Sequence, residues 1–173
     1  MKLGKIKLTL MVLSALFVLP QASQAYFTTD QSAFLISDNA ALLTISYSFG
    51  FSSREALLPI AAVRGETESQ AVLGYELLED SRASTSVGTA AGIIVSDAEV
   101  RNGQYYIPAG QTADFTLVVV LTTEPTDPEI DYALQVSHLP FTMITADGTV
   151  LENGLTDSEL SYYISPEVDL NEE

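Results

Sequence analysis

The sequence predicts an all-β protein: a single sandwich of two antiparallel sheets, following a cleaved leader. Three observations carry that prediction. Apolar and polar residues alternate with period two in segment after segment, which is the strand signal because successive side chains leave opposite faces of a sheet. Turn-forming residues interrupt the alternation at short intervals. No apolar stripe at helical spacing runs long enough to sustain a helix.

Residues 1–25 read as a secretory signal peptide. Lys2, Lys5 and Lys7 form a basic start, Leu8 to Leu19 an apolar run, and Pro20 a break. Ser23-Gln24-Ala25 then places small residues at the −3 and −1 positions of a cleavage site. The run is shorter than the roughly 20 residues of a membrane-spanning helix, so the processed protein is expected not to be an integral membrane protein. The chain has no cysteine, which excludes disulfides and thiol chemistry. Residues 26–165 are expected to form the sandwich domain, and 166–173 an acidic, frayed tail.

The cleanest strand is the first one predicted, 42–51. Leu43, Ile45, Tyr47, Phe49 and Phe51 share one face, and Thr44, Ser46 and Ser48 the other. Weaker alternation marks 57–63 (Leu58, Ile60) and 72–78 (Leu73, Tyr75, Leu77). Asp80 to Ala90 is rich in Ser, Thr and Gly and reads as a loop. Strands follow at 91–96 (Ile93, Val95) and 104–108 (Tyr105, Ile107), with Asp97 to Val100 able to form one helical turn between them. In 114–122, Phe115, Leu117, Val119 and Leu121 share a face while Val118 and Val120 make the other apolar, which predicts a central strand covered on both sides for part of its length. In 132–138, Tyr132, Leu134 and Val136 point inward, and Leu139-Pro140 ends the strand. Candidates at 141–146 and 160–165 complete the set; Ser158 to Tyr162, like Asp97 to Val100, could form one helical turn, but neither carries an apolar stripe at helical spacing. Asn102-Gly103, Asp147-Gly148 and Asn153-Gly154 are expected to be turns, because Asn, Asp and Gly tolerate positive φ.

One stretch adds a resemblance. Tyr105-Tyr106-Ile107-Pro108-Ala109-Gly110, followed by Phe115-Thr116-Leu117, resembles a turn that recurs in bacterial immunoglobulin-like domains. There a strand ends in Pro-Ala-Gly and a Phe-Thr-Leu strand follows. The resemblance spans about a tenth of the body. It implies an immunoglobulin-like sandwich and brings no activity with it.

Charge narrows the partners. Beyond the leader the chain keeps four arginines (Arg54, Arg64, Arg82 and Arg101) against 23 acids, a formal charge of −19. A field of that sign repels nucleic-acid phosphates and anionic lipid, so nucleic-acid binding is not expected. It attracts cations. The densest carboxylate group is Glu124, Asp127, Glu129 and Asp131, in a loop shaped by Pro125 and Pro128. Calcium takes oxygen ligands of that kind, which makes these four residues the candidate metal site, although their spacing is not that of a calcium-binding helix-loop-helix. The alternative is a solvated connection that blunts a sheet edge.

His138, the single histidine, falls in the inward phase of its strand. It cannot hold zinc alone, and no Gly-x-Ser-x-Gly nucleophile turn accompanies it. A structural role is expected, with an extracytoplasmic hydrolase as the rival. Tyr105-Tyr106 and Tyr162-Tyr163 should each place one ring inward and one outward, where an exposed ring offers contact area to a partner. Together these features lead to the expectation of a non-catalytic extracytoplasmic interaction or structural module. It would act in the periplasm, at the cell surface or outside the cell, on an unidentified protein or envelope component. A calcium-dependent adhesion or stability module is the second expectation.

Overall fold

The computed structural model describes residues 24–65, 67–80, 82–84, 88–123, 130–156 and 158–170. Among them are thirteen strands and no helix. The strands are β1 (Gln24–Ser37), β2 (Ala40–Phe51), β3 (Glu55–Pro59), β4 (Ala61–Arg64), β5 (Val72–Glu79), β6 (Arg82–Ser84) and β7 (Thr89–Ser96). There follow β8 (Glu99–Arg101), β9 (Gln104–Ile107), β10 (Thr112–Thr122), β11 (Asp131–Ile144), β12 (Val150–Thr156) and β13 (Val168–Asp169).

They form one open mixed sheet in the order β1-β2-β10-β7-β4-β5-β11-β3-β9-β8, with β12 and β13 on β11 and β6 on β5. Only β4 and β5 run parallel. The continuity comes from β11. Its first half pairs with β5 and its second half with β3 and β12, so one strand serves several neighbours.

The strongest alternation in the sequence gives the strongest strand. Leu43, Ile45, Tyr47, Phe49 and Phe51 of β2 are all buried, and β10 lies against them with Leu117 opposite Ile45 and Val119 opposite Leu43. Burying each such side chain contributes about 1.5–3 kcal/mol. Aromatic rings then join strands distant in the sheet order. Phe49 meets Phe141 of β11 with centroids 5.0 Å apart, and Tyr105 of β9 meets Phe115 of β10 at 5.5 Å. The Tyr105 hydroxyl donates to the Ile94 carbonyl of β7 at 3.0 Å, which satisfies the polar end of a buried ring.

Several expectations are corrected. A strand over 24–37 was not foreseen, yet β1 pairs with β2 along most of its length. Leu139-Pro140 does not end a strand. β11 runs through it, with an irregularity between Val136 and His138 that re-aims the chain and Pro140 opposite Gly154 of β12. The 57–63 segment is two strands broken at Ile60, and 160–165 is a turn followed by a single bridge from Ile164 to Gln135. Asp97 to Val100 leads directly into β8 and forms no helical turn. β10 is central, and its outer face is covered in part, with Thr116 and Val118 half-buried and Val120 42% exposed. Part of the predicted 80–90 loop is strand β6. Residues 166–170 do not fray: Val168 pairs with Tyr132, and Val168 and Leu170 are buried in the core.

Of the predicted turns, two hold. Asn102 and Gly103 have φ of 51° and 79° and join β8 to β9 with Arg101 opposite Gln104, the two-residue hairpin geometry that suits twisted strands. Asp147-Gly148 turns β11 into β12, with Gly148 at φ 82°. Asn153-Gly154 lies inside β12 instead. A Cβ on Gly154 would stand 2.9 Å from His138 Cε1, so this glycine marks a close approach and not a turn.

Candidate functional site

Of the four predicted metal ligands, Glu124, Asp127 and Glu129 lie outside the described residues. Asp131 opens β11, exposed and opposite Asp169 of β13. Among the described residues no group of three or more His, Cys, Asp or Glu side chains converges as a metal site.

His138 is buried, as its inward phase requires, between the strands that hold Gly74 and Gly154. Among the described residues its Nε2 has no hydrogen-bond partner. Its ring packs against Gly154, where a Cβ would stand 2.9 Å from Cε1.

The tyrosine pairs divide. Tyr162 is 81% exposed and Tyr163 is buried, the expected one-out, one-in outcome, although the pair lies in a turn and not on a strand. Tyr105 and Tyr106 are both buried, which corrects the expectation of one outward ring. The reason is Arg101. Its guanidinium lies 3.4 Å from the Tyr106 ring centroid, held by two hydrogen bonds to Glu99 at 2.9 and 2.8 Å. The flat cation covers the ring. That ion pair holds the Glu99 carboxyl below the usual range, chiefly through the Arg101 hydrogen bonds.

What remains unpartnered is a surface, and the strand registers show how it is built. Cross-strand partners share a face, so Phe34, Leu42, Val120 and Ala91 form one row across β1, β2, β10 and β7 on the side opposite the core. The next row is Ser32, Thr44, Val118, Ile93 and Ala61, reaching β4. The third holds Asp30, Ser46, Thr116 and Val95. Hydroxyls pair within the rows, Ser32 with Thr44 at 2.6 Å and Ser46 with Thr116 at 2.9 Å. Ser48 donates to the Asp114 carboxylate at the acidic end. The hairpin end is apolar and open: Phe34 is 59% and Ile93 60% exposed. A contiguous apolar area of this kind, rimmed by polar groups, is typical of interaction sites.

The same surface ends at a free strand edge. β1 terminates the sheet and pairs only with β2 among the described strands. The Gln31 side-chain amide donates to the Tyr162 carbonyl at 2.5 Å, which sets the exposed Tyr162 beside this edge.

Sequence reasoning missed this surface because it missed β1. Phe34-Leu35-Ile36 is an apolar run without alternation, and the polar stretch before it shows no clear period. The signal that was available is Asp38-Asn39 between that run and the alternation starting at Leu43, since such a pair can close a hairpin. Compared with known proteins, this chain matches no family model and no curated sequence.

Proposed function

We propose that this chain is an exported, non-catalytic interaction or structural module whose sheet folds over itself as an immunoglobulin-like β-sandwich. The observation that carries the reading is the open apolar face of β1, β2, β10 and β7, ending at a strand edge that no other described strand pairs with. A surface of this kind suits recognition of another polypeptide. The ring contacts from β2 to β11 and from β9 to β10 support two packed layers. The turn at Pro108-Ala109-Gly110 supports the immunoglobulin-like character: β9 ends there and β10 follows. Export rests on the leader sequence, which directs the body to the periplasm, the cell surface or the medium.

The test is a turnover panel of glycosides, esters and peptides with the processed protein, alongside His138→Ala. No turnover is expected from either. Activity that His138→Ala abolishes while the fold persists would replace this reading with a hydrolase.

A further inference from the structure

We propose that the outer edge of β1 accepts an extended segment of a partner protein, one carrying a basic residue and an apolar residue four positions apart. This rests on the interaction-module reading and names the partner's chemistry.

The two ends of the sheet order differ. β8 has three residues, Glu99 to Arg101, and its two charged side chains are bound to each other. Short, charged edges resist the addition of a strand. β1 has 14 residues, with no lysine, arginine or proline and a single charge, Asp30. It offers an extended backbone without the features that block pairing.

The side chains on the open face of β1 then set the partner's pattern. Asp30, Ser32 and Phe34 follow one another along that face, opposite Ser46, Thr44 and Leu42. A strand added to the edge places residues i, i+2 and i+4 beside them, at about 6.6–6.8 Å per step. The position beside Asp30 favours a cation, the position beside Ser32 a small or hydroxyl residue, and the position beside Phe34 an apolar side chain. The apolar side chain also meets Leu42 and Val120, in the same row as Phe34.

Charge decides between a second copy and a different chain. The body carries four arginines against 23 acids, and no lysine or arginine lies in β1, β2, β7 or β10. Two copies approaching through this face repel one another, whereas a basic segment is drawn to it.

The probe is a short peptide of alternating threonine and valine with one arginine four residues before a phenylalanine. It is titrated into the processed protein and followed by backbone-amide NMR. The expected result is perturbation centred on β1 and weakening with added salt. Affinity should fall about tenfold in Phe34→Ser and in Asp30→Asn, equivalent to about 1.4 kcal/mol each. Both side chains are exposed, so both variants should keep the parent melting temperature. Perturbation spread over the acidic surface and unchanged in Phe34→Ser would overturn the proposal. So would self-association through β1 in sedimentation, or no binding at all. The turnover panel separates the two readings: lack of peptide binding without turnover sinks only this assignment, and turnover sinks the module reading beneath it.

Discussion

Glycines 92 and 154 carry packing information that neighbouring residues do not. A Cβ on Gly92 would stand 2.6 Å from Tyr75 Cε1, and one on Gly154 would meet the His138 ring. Both rings belong to buried or half-buried groups with little room to retreat, so Gly92→Ala and Gly154→Ala should each destabilise the fold by about 1–3 kcal/mol. Urea unfolding checks this, and a change under 0.5 kcal/mol would mean that the rings move freely. Tyr47 shows the opposite side of burial: full enclosure pushes its phenol well above the usual range, so it should stay protonated through alkaline titration. At this scale the sequence was readable where a residue's role follows from its phase along a strand. The β2 core residues and the inward His138 were legible for that reason. Gly154 was not, because turn glycines and close-approach glycines look alike until the opposing ring is placed.

At the level of elements, the β11–β12 hairpin gives a pH prediction. The Asp147 carboxylate accepts from the Thr145 hydroxyl at 2.5 Å and from the Thr149 backbone N–H at 3.2 Å, and these bonds hold its carboxyl below the ordinary value of 3.8. A carboxyl depressed in the folded state contributes stability that is present above its unfolded value and lost as pH falls through the folded one. Asp147→Asn should therefore flatten the loss of melting temperature below about pH 4, and an unchanged acid limb would contradict the turn geometry. The C-terminal element gives a second test. Leu170 is fully buried, so Leu170→Ala should cost about 2–5 kcal/mol, whereas a frayed tail would cost nothing measurable. Strands β2, β5, β7, β9 and β10 were legible because alternation and turn residues agree over them. β1, β8, β13 and the continuous β11 were not, since two- or three-residue pairings and a strand running through Leu139-Pro140 depend on distant partners that set the register.

For the molecule as a whole, the all-β class was legible because period-two alternation recurs along most of the body, while its assembly into one mixed sheet was hidden in long-range pairings. The acidic excess sets its solution behaviour. Self-repulsion within a body of formal charge −19 opposes compaction, so sodium chloride should raise the melting temperature by screening. Calcium at matched ionic strength should raise it no further. A shift specific to calcium and reversed by chelator would instead favour the sequence-predicted ligands Glu124, Asp127, Glu129 and Asp131. The interaction surface depends most directly on β1 being an edge, and amide hydrogen exchange measures that. In the free protein, amides of β2 and β10 should be protected throughout, while alternate amides of β1 exchange quickly because they face solvent. Uniform protection along β1 would show that another strand already covers it, and would contradict the account.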